Sequence, residues 1–311
     1  MDLITFLDRF ADQSACLAHL EAVRWPKGPE CPKCGVVGDA LRLPQREGYW
    51  HCRACRDQFN ITHGTPMEGT HLSLRTWFGA IFLMSTSSKG VSAMVLSRRL
   101  NLGYKTAWFL AHRIRNLMPQ DWKALRALVE VDETYLGGKR KKGRTSKRDP
   151  DDDQPIGRAG QRKSMVMVAI ERGRSGRARA RRGGTHSERT VAGVIDDNID
   201  CSSVLLTDDL PAYRWIGRKF PAHLAVNHSR GEYVRRDPLA AAAAHVNTAE
   251  SFNALLKRCW VGVHHWWSIK HAHRYLNQRV FHWNHREADT AARLAHLFRA
   301  SGRLRFQDCI A

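Results

Sequence analysis

Leu128-Val129-Glu130-Val131-Asp132 opens a stretch in which the hydrophobic pattern turns from helical to strand-like. Working outward, a second strand is expected over Ser164 to Ile170 (SMVMVAI) and a third over Ala178 to Arg182. A helix follows, capped by Ser187 and running through Val191, Val194 and Ile195. Ser203-Val204-Leu205-Leu206-Thr207 reads as a buried strand ending at Asp208. A helix over Ala212 to Lys219, a short strand over His223 to Asn227, and a helix over Ala249 to Arg258 capped by Thr248 complete the series. The order β-β-β-α-β-α-β-α predicts an α/β domain, a mixed sheet flanked by helices.

Three acids fall at telling places in this order. Asp132 lies near the end of the first strand, Asp208 at the end of the fourth, and Glu250 in the first turn of the last helix. In a mixed sheet those two strands can be neighbours. The trio would then form an oxygen-rich site suited to Mg²⁺ or Mn²⁺. Two such ions about 3.5–4 Å apart activate an attacking hydroxyl and stabilise a leaving oxygen at a phosphodiester. Asp209 competes with Asp208 for the second place. Glu130 and Glu133 flank Asp132; Glu130 shares its face of the strand and Glu133 points away. A lone acid is more often only surface.

Upstream lie Cys31-Pro32-Lys33-Cys34 and Cys52-Arg53-Ala54-Cys55, with seventeen residues between Cys34 and Cys52. That spacing, around a hairpin through Leu41, Leu43 and Gly48 to Tyr49 and Trp50, is the pattern of a zinc ribbon. Four thiolates leave zinc no open position, so this ion would be structural. Between ribbon and sheet, three helices are expected: from Ser73 through Met84, over Ser92 to Leu100, and over Lys105 to Met118. The last two, joined by Asn101-Leu102-Gly103, suggest a helix-turn-helix with Arg113 and Arg115 as DNA contacts. A plain helical hairpin is the alternative. Met1 to Trp25 reads as one amphipathic helix with Leu3, Phe6, Leu7 and Phe10 on one face, and neither a signal peptide nor a membrane span.

Of 311 residues, 50 are Lys or Arg and 30 Asp or Glu, a net charge of +20 that points to a polyanionic partner, nucleic acid above all. The remaining cysteines, Cys16, Cys201, Cys259 and Cys309, show no framework spacing, which fits a reducing cytosol. Lys139 to Asp153 reads as a charged, solvated stretch, either an arm that touches phosphates or a plain insertion loop. From Trp260 to His273, tryptophans and histidines surround Lys270. A histidine zinc site through His265, His271 and His273 is one reading. Tryptophans in the core or stacked on bases, with the histidines, Lys270, Arg274, Arg279 and His282 at phosphates, is the favoured one. The expected division is an N-terminal helix (1–25), zinc ribbon (26–66), helical DNA-binding segment (67–122), catalytic domain (123–290, with the basic insertion 139–163) and C-terminal tail (291–311).

The sequence resembles bacterial insertion-sequence transposases that carry an N-terminal zinc ribbon and an RNase H-like DDE domain. The matching motifs are CPKCG at Cys31, CRAC at Cys52, Val131-Asp132-Glu133-Thr134-Tyr135-Leu136-Gly137-Gly138-Lys139, Thr207-Asp208 with Tyr213, Asn227-His228-Ser229, Asn247-Thr248-Ala249-Glu250 with Leu256-Lys257-Arg258, and a block from Gly262 to Arg286. The resemblance implies that Asp132, Asp208 and Glu250 hold catalytic Mg²⁺ or Mn²⁺, while Lys257, seven residues beyond Glu250 on the same helix face, contacts DNA with Arg258. It further implies a cytoplasmic, nucleoid-associated bacterial enzyme that binds terminal inverted repeats. Hydrolysis at a transposon end and strand transfer into target DNA would follow, by a dimer or higher oligomer. The rival readings are a non-catalytic zinc-ribbon regulator or domesticated transposase, and an RNase H-like nuclease without strand transfer.

Overall fold

The computed structural model describes residues 1–121, 123–137, 164–183, 188–227, 230–232, 234–236 and 243–301. The basic insertion and the cap expected at Ser187 lie outside them. The chain divides into two units, one of residues 1–119 with 288–311, the other of 120–287.

In the first unit, the single N-terminal helix expected over Met1 to Trp25 is two, α1 (Leu3–Arg9) and α2 (Gln13–Arg24). Asp2 and Asp12 each cap a helix, accepting from the Thr5 and Ala15 amides at 2.9 and 2.8 Å. The Asp12 cap is what breaks the run, because a capping residue leaves helical dihedrals. Phe6 and Phe10 are buried, whereas Leu3 and Leu7 stay exposed. Strands β1 (Ala40–Arg42), β2 (Tyr49–Cys52) and β3 (Gln58–Asn60) form an antiparallel ribbon. Three helices follow: α3 (Leu74–Thr86), capped by Ser73, α4 (Ala93–Arg99), capped by Ser92, and α5 (Tyr104–Asn116). The turn between α4 and α5 is pinned by Ser97, whose hydroxyl donates to the Leu102 carbonyl at 2.6 Å, with Asn101 left-handed at φ 51°. The stretch expected as a tail begins instead with a helix, Thr290–Ser301, that returns to this unit. Its Phe298 ring lies 4.3 Å from Phe78 of α3.

The second unit is built on a five-stranded sheet: β4 (Leu128–Leu136), β5 (Ser164–Glu171), β6 (Ala178–Gly183), β7 (Val204–Asp208) and β8 (Ala222–Val226). The spatial order is β6-β5-β4-β7-β8, antiparallel through β4, β5 and β6 and parallel from β4 to β8. This mixed α/β sheet is the fold class read from the sequence. Helices α6 (Glu188–Asn198) and α7 (Pro211–Gly217) cover one face, where Val129, Val131, Met165, Met167 and Leu205 meet Val191, Ile195, Tyr213 and Ile216. On the other, α8 (Asn247–Cys259) and α9 (Ala272–Asn284) pack Phe252, Leu256, Leu276 and Val280 on Val166, Val168 and Ile170. Cover on both sides explains why β5 is nearly uninterrupted in apolar residues. Each large side chain so buried contributes about 1.5–3 kcal/mol.

Candidate active site and zinc centre

β4 runs on to Leu136, so Asp132 sits mid-strand rather than near its end. The parallel register pairs Glu130 with Leu206 and Val131 with Thr207. One step further sets Asp132 opposite Asp208, across an interstrand spacing of about 4.8 Å. Period-two alternation then fixes the faces. Leu206 packs with Val246 just ahead of α8, so Asp208, two residues on, shares that face. Asp132 shares it too: the α8 residue Asn253 donates to its Oδ2 at 2.7 Å. Glu250, one turn earlier on α8, lies at the exposed rim, while Asp132 and Asp208 are half-buried.

Burial pushes the Asp132 carboxyl up to about 6; the Asn253 hydrogen bond opposes this, and the charges of Glu133 and Glu250 add to it. Glu250 is thus close enough for Asp132 to feel it. Burial also raises Glu133, with Asp208 adding to the shift, but its side chain is on the opposite face, accepting from the Tyr213 hydroxyl at 2.5 Å. Asp209 is spoken for: its carboxylate accepts from Arg214 at 2.8 Å and from the Asn227 amide at 2.9 Å. The Arg214 pairing holds it below the usual carboxylate range. Asp208 has its Oδ1 on the Asp209 amide at 2.7 Å.

The four thiols are drawn together far more tightly. Sγ of Cys31 and Cys55 are 3.6 Å apart, as are Sγ of Cys34 and Cys52. A tetrahedron of Zn–S bonds near 2.3 Å requires about 3.8 Å between sulfurs, so the donor set fits zinc. Each CxxC turn closes in the same way. The Gly35 amide donates to the Cys31 carbonyl at 2.9 Å and the Arg56 amide to the Cys52 carbonyl at 3.0 Å. Both closing residues are left-handed, Gly35 at φ 73° and Arg56 at φ 60°. Burial raises the Cys31 thiol, but amide donors from Cys34 and Lys33 outweigh it and bring the group to about 7. An amide bond from Asp57 lowers Cys55, yet burial and the neighbouring sulfurs drive it up to about 12. Among the described residues, these cysteines are the set whose ligand atoms all lie within 4.8 Å of one another; the histidines of 264–273 form no such cluster. Nor do the three carboxylates close that far.

Residues 124–284, over half the chain, match the family described as the ISXO2-like transposase domain. The chain belongs to that family. Residues 11–58 match the transposase zinc-ribbon domain, in keeping with a structural zinc at the four cysteines. A relative from Halobacterium salinarum, described as an uncharacterized protein in transposable element ISH50, is 28% identical over 267 residues, covering 82% of this chain and 85% of that protein. The transposase domain so matched contains all three acids and Lys257. Among the described residues, no helix is long and apolar enough to cross a membrane.

The basic residues of this transposase sort differently from the expectation. Lys257, Arg258 and Lys270 are exposed. Arg115 and Arg274 are only 2% and 5% exposed, and Arg279 and His282 are buried as well, so the helices carrying them do not present these groups to a polymer. Arg113 is half-buried, its guanidinium donating to the Pro66 and Glu68 carbonyls. On the helix pair the exposed cations are Arg98, Arg99 and Lys105. Helical periodicity alone did not say which face of α5 turns inward. Trp267 is buried, stacked on Tyr275 at 4.6 Å, with Trp260 edge-on at 4.4 Å, whereas Trp266 is 66% exposed.

Two residues at the site escaped the sequence reading. Asn253 is buried; its amide nitrogen donates to Asp132, and its Oδ1 has no hydrogen-bond partner among the described residues. Its position three residues after Glu250 was the available signal. The other is Glu130, weighed only as a neighbour of Asp132. It is wholly buried and accepts from the Thr248 and Ala249 amides at 2.8 and 3.0 Å. Thr248 is therefore not the cap it was expected to be. Its hydroxyl donates to Glu130 at 3.0 Å, and α8 has no side-chain cap of its own.

Proposed function

We propose that this insertion-sequence transposase cuts and joins DNA through Asp132, Asp208 and Glu250, binding the terminal inverted repeats of its element and transferring a strand into target DNA. The observation that carries the proposal is the β4–β7 register, which sets Asp132 opposite Asp208 on the face beneath α8. Hard oxygen donors of this kind suit Mg²⁺ or Mn²⁺, with the unpartnered oxygen of Asn253 a further candidate donor. Bound there, the ions would lower the pKa of a water or 3′-hydroxyl and stabilise the leaving oxygen.

The remaining work falls to side chains of this chain. Asp132 has to be ionised to act; burial pushes its carboxyl up to about 6, and a cation bound beside it would bring it down again. Asn253 holds its Oδ2 in place. Asp209, tied to Arg214 and Asn227, secures the turn that presents Asp208. Exposed Lys257 and Arg258 on α8, and Lys270 beyond it, hold phosphates. On the helix pair that role falls to Arg98, Arg99 and Lys105 rather than Arg113 and Arg115. From Gly69 to Gln120 the sequence holds no carboxylate, which favours a polyanion there. Joining two ends calls for at least a dimer on DNA.

The test is strand transfer of a labelled element end with Mg²⁺ or Mn²⁺, by wild type and Asp208→Asn. Joined product from wild type and none from the variant is expected. Binding without cutting in wild type would favour a regulator, and cutting without joining a plain nuclease.

A further inference from the structure

Glu130 forms, with Arg172, a buried polar junction that the reaction outlined above does not use. Its Oε2 accepts the Thr248 and Ala249 amides, and its Oε1 accepts the Thr248 hydroxyl and Arg172 Nε at 2.8 Å. The first amides of a helix have no partner within it, and a carboxylate at that end is favoured by the helix dipole. Here the carboxylate comes from a strand 118 residues earlier in sequence than Thr248. Arg172, one residue past β5, also donates to the Ala243 carbonyl at 2.7 Å and the His245 carbonyl at 2.9 Å. His245 Nδ1 lies 3.4 Å from Glu130. The junction thus grips both the first turn of α8 and the backbone leading into it.

We propose that Glu130 is a positioning residue, docking the start of α8 on β4 so that Glu250 and Asn253 reach Asp132. This rests on the carboxylate site proposed above. Glu130 and Asp132 project from the same face of β4, two residues apart. Glu250 and Asn253 follow Thr248 within the next turn and a half of α8. The strand spacing from Glu130 to Asp132 is thereby matched to the helical spacing from the docked amides to Glu250 and Asn253. A plain core packing role would be served by an apolar side chain. A fully buried carboxylate is retained only with its charge and hydrogen bonds answered, as they are here. The consequence is geometric: loosening the junction frees the end of α8 that carries the third acid, while Phe252 and Leu256 keep the helix on the sheet.

The experiment uses the full chain, as Thr248→Val, Glu130→Gln and wild type, with Asp132→Asn as reference. Amide exchange over 247–253 is measured without divalent metal, and Mn²⁺ binding by titration. Thr248→Val removes one hydrogen bond and leaves the backbone bonds, so it keeps the fold if Glu130→Gln does not. Faster exchange confined to the first turn of α8 is expected, with Mn²⁺ affinity at the Asp132-dependent site weakened about tenfold, the usual cost of losing a group that orients metal ligands. Unchanged exchange in both variants overturns the docking role. Faster exchange with unchanged Mn²⁺ affinity reduces the junction to structure alone and overturns the positioning role. If wild type and Asp132→Asn bind Mn²⁺ alike, the carboxylate reading itself fails, and the positioning role falls with it; the exchange result still shows whether Glu130 holds α8.

Discussion

The ribbon gathers four thiols and the sheet three carboxylates, but by opposite means. The thiols are gathered by two short turns, each closed by one amide–carbonyl bond, and their sulfurs already stand at the spacing zinc requires. The carboxylates come from two strands and a helix spread from Asp132 to Glu250, and stay further apart. Two turns and the short hairpin between them suffice for the first; the second needs a strand register, a sheet face and a docked helix to agree. A site built locally depends on its ion for stability, because the ribbon has little core of its own. A site built by the fold is held by the cores on both sides of the sheet, and its charges are a cost to the fold rather than a support.

The largest effect should come from Cys31→Ser or from a strong chelator. Structural zinc contributes about 10–16 kcal/mol to small zinc modules. Bound zinc should fall from one per chain to none, and exchange protection in β1–β3 should vanish while that of β4–β8 persists. Collapse of both would break the comparison.

Asp132→Asn should act the other way round, losing catalysis while gaining stability. Strand cleavage should drop about a thousandfold, the loss of several kcal/mol of transition-state stabilisation. Without metal, the folded protein binds the Asp132 proton more tightly than the unfolded chain, its carboxyl titrating near 6 instead of 3.8. Stability from this group is present at low pH and is lost as pH rises from about 4 to about 6, a cost of about 3 kcal/mol above that window. Melting curves of wild type should show that fall, and the Asn variant should not.

Smaller effects should separate exposed from buried cations. Single Ala substitutions at Arg98, Arg99 or Lys105 should each lower the salt slope of binding to a mixed-sequence duplex by about one. Arg115→Ala should leave the slope intact and lower the melting temperature. Smallest of all, Arg56→Gly should stabilise the ribbon by about 1 kcal/mol, relieving the left-handed strain that Gly35 does not have. Zinc content should not change.

Much of this was legible in the residues. The order of strands and helices followed from periodicity, and the ribbon from cysteine spacing, since both signals are local. The break at Asp12 was missed because capping competes with periodicity over the same few residues. Arg115 and Arg274 were misplaced because a basic residue in an amphipathic helix carries no mark of which way the helix will face. Thr248 looked like a cap since it precedes a helix, yet its hydroxyl and amide both serve Glu130, which no local pattern connects to it.

The sequence by itself determined the zinc turns and the succession of elements, because turn chemistry and side-chain alternation act over a few residues. Only the tertiary structure decided that Asp208 rather than Asp209 faces Asp132, that Glu130 docks α8, and which cations reach solvent. Those outcomes depend on strand register and on what packs against each face, and both are set by contacts between residues far apart in the chain.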